Sequence, residues 1–165
     1  MTSGRRKRLT SFRVTATTLI AARPEQVWAA LTDLAGYGRW NTFTPEVRST
    51  LEVGAPVHLD VVLGPRRRTR SVNHVEVVEA PHRIVWSSVL VHARLLRTRR
   101  TQTVEPVEDG RCRYTTSETF DGPLVPLVAL VSRAAVARGF EAVADGLRRH
   151  VEGGRGSGIP ADGDR

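Results

Sequence analysis

A change of hydrophobic period after Gly122-Pro123 constrains this chain more than any other feature. From there Leu124, Val128, Val131 and Ala135, then Val136, Phe140, Val143, Leu147 and Val151, recur at helical spacing to about residue 152. One long helix with a single apolar stripe has to bury that stripe against another element. Upstream the period is two. Residues 45–120 divide into strand-like segments at 45–53, 56–63, 67–79, 82–89, 94–105 and 111–120. Gly54-Ala55-Pro56, Gly64-Pro65, Ala80-Pro81 and Glu108-Asp109-Gly110 punctuate them. A curved antiparallel sheet is the only large partner available to the helix, and a sheet wrapped round a helix encloses space. The alternation of Val57, Leu59, Val61 and Leu63, with His58 and Asp60 between them, identifies the core side. Gly139 and Gly146 interrupt the helical stripe. Each either weakens the helix by about 1 kcal/mol relative to Ala or marks a close approach of the sheet or a ligand.

Ahead of the strands, residues 12–20 alternate, with Phe12, Val14, Ala16, Thr18 and Ile20 on one face. Pro24 then stands where a helix begins, Glu25 suits its N-terminal dipole, and Val27, Trp28, Leu31 and Leu34 follow at helical spacing until Gly36. A short helical turn is expected over 37–41. The order is strand, two short helices, six strands, long helix.

The 165 residues suffice for one domain with a core that needs no disulfide or metal. We place it at 11–152, between a basic tail at 1–10 holding Arg5, Arg6, Lys7 and Arg8 and a Gly-rich tail at 153–165. The tails matter to the charge. The whole chain carries a formal +8, whereas residues 11–152 hold 19 basic and 15 acidic side chains. The excess is local: residues 66–113 contain 11 basic and 5 acidic residues, the rest of the domain 8 and 10. Arg66-Arg67-Arg68 and Arg97, Arg99 and Arg100 are not interleaved with the aromatics that stack on bases, so a nucleic-acid partner is disfavoured. No apolar run approaches the roughly 18 residues of a membrane span, and the single cysteine, Cys112, allows no internal disulfide. A cytoplasmic location is expected. His58, His74, His82, His92 and His150 show no ligand spacing, and no phosphate loop or nucleophile elbow is present, so no metal or cofactor is expected. Cys112 reads as a small inward-facing hydrophobe.

The element order and a set of local sequences resemble the START/Bet v 1-like superfamily (SRPBCC, polyketide cyclase-like). The resemblance is carried by residues 24–33 (PEQVWAALTD), 38–41 (GRWN), 53–54 (VG), 80–86 (APHRIVW) and 117–124 (SETFDGPL), and spans 12–151. It implies an α+β helix-grip fold with a deep apolar cavity between sheet and long helix. It does not imply one function, because the superfamily includes cyclases, aromatases, lyase-type enzymes, lipid carriers and hormone receptors.

The residues themselves indicate what faces that cavity. On 111–120 the more apolar face holds Cys112, Tyr114, Thr116, Glu118 and Phe120. A two-residue Asp109-Gly110 loop would put Val104 on the outward face. A three-residue loop, Glu108-Asp109-Gly110, with Gly110 left-handed after a type I turn, sets Val104 opposite Tyr114, Gln102 opposite Thr116 and Arg100 opposite Glu118. Matching apolar with apolar selects the second. Arg100 and Glu118 then face inward as a pair. In a catalytic reading Arg100 binds a developing enolate or a carboxylate and Glu118 moves a proton. In a structural reading they form an internal salt bridge that limits the cavity. The guanidinium lowers the pKa of Glu118 while desolvation raises it. Tyr37, Trp40, Asn41 and Phe43 lie on a segment that resembles a cavity rim, where aromatics can stack on a flat ligand or pack on the sheet. Trp86 belongs to wall or core, and Phe140 to cavity floor or core. Gln102, Tyr114, Thr116 and Phe120 complete the candidate substrate-binding set.

The sequence supports two functions of different kinds. One is a cyclase, aromatase or dehydratase of secondary metabolism acting on a polyketide-type or polycyclic intermediate. The other is a carrier or sensor of a lipid or other hydrophobic molecule with no chemistry. In the first case an acidic acyl carrier protein is the expected partner for Arg66, Arg67 and Arg68.

Overall fold

Alternation sets the first element: β1 (Ser11–Ile20) buries Phe12, Val14, Ala16 and Ile20, keeps Thr18 half-buried on the same face, and turns the odd-numbered residues outward. The structure, a computed structural model, describes residues 10–89, 92 and 94–154. The tails expected at 1–10 and 153–165 lie almost wholly outside the described residues. Helix α1 (Pro24–Thr32) starts on a proline, whose missing N–H is no loss in a first turn, and buries Val27 and Leu31. It stops before Leu34. The Asp33 side chain accepts a hydrogen bond from the Gly36 N–H at 3.1 Å and opens a 3-10 helix, Leu34–Arg39, in place of the separate turn expected at 37–41.

Six strands follow: β2 (Glu46–Arg48), β3 (Pro56–Gly64), β4 (Arg67–Glu79), β5 (Arg83–Val89), β6 (Arg97–Pro106) and β7 (Cys112–Asp121). They form one antiparallel sheet in the order β1-β7-β6-β5-β4-β3-β2. The segment expected as a strand at 45–53 pairs only over Glu46–Arg48. The Leu51 N–H donates to Ser49 Oγ at 3.1 Å and Leu51 adopts φ 58°, so a local turn takes the backbone out of the ladder. The β6 ladder begins at Arg97 rather than 94, because the Leu95 N–H closes a turn on the His92 carbonyl at 2.7 Å. Register shifts between Val62 and Gly64 and between Val75 and Val77 bend the sheet.

Helix α2 (Val125–Gly153) packs on β1 and buries Val136, Phe140, Val143, Leu147 and Val151. Its first turns are different: Leu127, Leu130 and Val131 are exposed, with Val131 at the edge of the space between helix and sheet that Val128 lines. The two stripe glycines are sites of close approach, made by neither sheet nor ligand. A Cβ at Gly139 would strike the Phe43 ring, and one at Gly146 the Trp40 carbonyl oxygen. The segment after the 3-10 helix therefore presses into α2 where the stripe has no side chain.

The β6–β7 hairpin has the register that apolar matching selects, with Val104 opposite Tyr114, Gln102 opposite Thr116 and Arg100 opposite Glu118. Its turn is not the type I form expected. Asp109 joins Gly110 at positive φ (61° and 65°), a conformation that Asp tolerates better than most residues.

Candidate functional site

Residues paired across the sheet stand in rows on the inner face. One row runs Val75, Trp86, Arg100, Glu118, Val14 from β4 to β1. The next towards the β5–β6 connection is Ser88, Thr98, Phe120, Phe12, and on the other side lies Ile84, Gln102, Thr116, Ala16. The period of two on β6 puts Thr98, Arg100, Gln102 and Val104 inward together.

A cavity of about 280 Å³ opens over the first two of these rows, beneath the first half of α2. Its apolar walls include Phe43, Leu59, Val61, Leu96, Val128 and Val136, and its polar groups are those of Arg67, Thr69, Ser71, Asn73, Thr98, Arg100, Glu118 and Ser132. Arg100 is 5 % exposed, with its guanidinium carbon 4.7 Å from the Phe140 ring centre and 5.8 Å from that of Trp86. Such contacts hold a cation by the ring quadrupoles. Arg100 Nε has no hydrogen-bond partner. Among the described residues no carboxylate pairs with Arg100 within 4.0 Å, Glu118 included. The two side chains line one cavity without closing a salt bridge across it. Burial pushes the Glu118 carboxyl above the usual range, and the opposing pull of Arg100 and of a Thr98 hydrogen bond is the weaker influence.

At the mouth, Arg67 reaches from the start of β4 to α2, donating to the Val131 carbonyl at 3.1 Å and to Ser132 Oγ at 3.3 Å. It ties the β3–β4 hairpin to the helix across the opening.

Of the residues expected in the site, Arg100, Glu118 and Phe120 line the cavity. Trp86 and Phe140 meet it through Arg100. Gln102, Tyr114 and Thr116 lie further along the inner face, where the Tyr114 hydroxyl donates to Gln102 Oε1 at 2.7 Å and burial pushes the phenol upward against the pull of Arg100. The cavity wall does not include Tyr37, Trp40 or Asn41. The Tyr37 hydroxyl donates to the Leu31 carbonyl at 3.0 Å, its ring lies 4.7 Å from that of Trp40, and Asn41 Oδ1 accepts from the Thr44 N–H at 2.7 Å. Phe43 is the member of this segment that reaches the cavity, stacked edge-on against Phe140 at 5.9 Å. Thr98 and Asn73 are further polar wall groups. Thr98 was recoverable from its place two residues before Arg100, while Arg67 carried no local signal. A larger depression of about 640 Å³ beside the β5–β6 connection holds Glu76, Arg94, Arg97 and Arg99, and includes neither Arg100 nor Glu118 among the described residues.

The family model for polyketide cyclase/dehydrase and lipid transport proteins matches residues 11–152. The chain belongs to that family. Its helix-grip fold is that of the START/Bet v 1-like superfamily, and solved structures share it at low identity. TTHA0849 from Thermus thermophilus is 19 % identical at TM-score 0.68, covering 87 % of this chain and 99 % of its own. A point mutant of Thalictrum flavum norcoclaurine synthase, solved with a transition-state analogue, is 14 % identical at TM-score 0.65, with 88 % and 96 % covered. Hypothetical protein jhp0584 from Helicobacter pylori is 16 % identical at TM-score 0.69, with 85 % and 88 % covered. No functionally curated protein matches the sequence. Among the described residues of this family member, no helix is long and apolar enough to cross a membrane.

Proposed function

We propose that the protein is a cyclase, aromatase or dehydratase that holds a polyketide-type intermediate in the cavity and directs its ring closure. The reading is carried by one observation: a guanidinium and a carboxyl, adjacent in register, face the same apolar cavity without neutralising each other. Ionised Glu118 removes a proton from a carbon between two carbonyls, and the enolate oxygen forms beside Arg100. The enolate carbon attacks a second carbonyl, and the resulting alkoxide takes the proton back from Glu118. Glu118 then removes the second proton from the same carbon and passes it to the departing hydroxyl, so that water leaves as the C=C bond forms. A raised carboxyl pKa suits this exchange, since an acid–base group works best near the operating pH. The apolar walls restrict the chain to folded shapes that bring the reacting carbons together.

The test is product analysis on a poly-β-carbonyl substrate with and without protein. Glu118→Gln is expected to lower kcat by about 10²–10⁴-fold, as for loss of a general base. Arg100→Met is expected to lower it by about 10²–10³-fold, as for loss of an oxyanion donor. Identical product profiles with and without protein remove the reading. The predominance of apolar wall supports the alternative of a carrier, for which a co-purified ligand would be recovered chemically unchanged after long incubation.

A further inference from the structure

Among the described residues no carboxylate pairs with the cation that lines the cavity, which narrows the ligand more than the fold does. A guanidinium does not lose its proton in proteins, and a buried charge without a partner is strongly unfavourable. Arg100 meets part of that need through Trp86 and Phe140. Both rings lie against the guanidinium carbon and Tyr114 shares a hydrogen bond with the group, while Nε makes none, so part of its N–H edge remains for a ligand. That edge is a fork matching two oxygens in one plane. Glu118 is the nearest acid in register, yet it makes no ion pair with Arg100.

Volume sets the size of the ligand. An apolar cavity of about 150 Å³ admits benzene. At about 280 Å³ this one has room for one or two rings. A third ring reaches beyond that volume into the mouth between Arg67 and α2.

We propose that the cavity takes a one- or two-ring compound bearing a planar, two-oxygen anion, with the oxygens on Arg100 and the rings against Phe43, Leu59, Phe120 and Val136. A carboxylate and the enolate of a 1,3-dicarbonyl share this chemistry. The inference rests on Arg100 and Glu118 as the ligand-contacting row but does not depend on turnover.

Calorimetric titration of the full chain with 2-naphthoate, 2-acetyl-1,3-indandione, 2-naphthalenemethanol, 2-naphthylmethylamine and 2-anthracenecarboxylate tests it. At least one of the two oxyanions is expected to bind more than about tenfold tighter than the neutral alcohol, as a charge-assisted bidentate contact implies. Preference between the two identifies the source of the anion. The amine and the three-ring acid are expected to bind at least about tenfold more weakly than the favoured oxyanion. Arg100→Met should abolish the preference for the anion while keeping the affinity for the alcohol. Equal binding of alcohol and acid, an undiminished preference in Arg100→Met, equal binding of the three-ring acid, or no oxyanion binding would each overturn the proposal. If Arg100→Met does not fold, the wild-type series decides alone. Oxyanion binding without turnover of a β-carbonyl substrate would remove the catalytic reading and leave this one standing, and turnover with no anion preference would do the reverse.

Discussion

Glu118 is a residue whose charge works against the fold. Its carboxyl is raised by burial, so the folded state holds the proton to higher pH than the unfolded chain does. The resulting penalty is fully present above the folded value and disappears as pH falls through that value towards the ordinary one of 4.5. Glu118→Gln is therefore expected to raise Tm near neutral pH and to give little gain at about pH 4, checked by scanning calorimetry across that range. A gain independent of pH would show that the charge is not the cause. The neighbouring polar row acts in the other direction. Tyr114→Phe leaves the buried Gln102 Oε1 without its donor, beside an Nε2 that already lacks a partner. The expected loss is about 1–3 kcal/mol, read from the urea midpoint at unchanged slope. Cys112 is inert by the same physics: the side chain is fully buried and burial raises its thiol pKa.

At the scale of elements, α2 and the segment after the 3-10 helix are fitted to each other. Intrinsic propensity favours Ala over Gly within a helix by about 1 kcal/mol, but a methyl at Gly146 meets the Trp40 backbone carbonyl, and overpacking costs about 1–3 kcal/mol. Gly146→Ala is expected to lower stability in chemical denaturation. Gly153→Ala, where no atom lies near the added methyl, serves as the control and should not. The other end of α2 is tied by Arg67 to the β3–β4 hairpin over the cavity mouth. Removing that tie in Arg67→Ala should raise association and dissociation rates of a bound probe together by up to about tenfold, the rate equivalent of one net hydrogen bond. Stopped-flow rates unchanged from wild type would show that ligands enter elsewhere.

For the molecule as a whole, the basic excess of residues 66–113 is partly spent within the protein. Arg99 pairs with Glu76 at 2.6 Å, Arg83 with Glu79 at 2.8 Å and Arg68 with Asp60 at 3.7 Å, while Arg67 is held on α2 and Arg100 lies inside. Exposed pairs of this kind add little stability, so their arrangement matters more for the surface field. If the substrate arrives on an acidic carrier protein, Arg66→Glu with Arg68→Glu should slow association at low salt, with the difference fading as salt rises. Equal association rates at low salt would exclude docking on this hairpin.

Short-range periodicity made much of this molecule legible. Alternation placed Arg100, Glu118 and Phe120 on the inner face, and apolar matching across the β6–β7 hairpin chose their register, because a one-residue slip would turn every side chain to the wrong side. The helical period of α2 required a sheet to cover it. The extent of that cover was not in the pattern. Tyr37, Trp40 and Asn41 are packed away while Phe43 reaches the cavity, since the path of that segment is set by contacts with Gly139 and Gly146, about a hundred residues further on. Arg67 meets α2 across a separation of 64 residues, with no local signal for the contact. Alternation alone assigned the inward-facing residues. Which of them still border open space, and that burial outweighs Arg100 at Glu118, follow from long-range packing, which sets both cavity volume and desolvation.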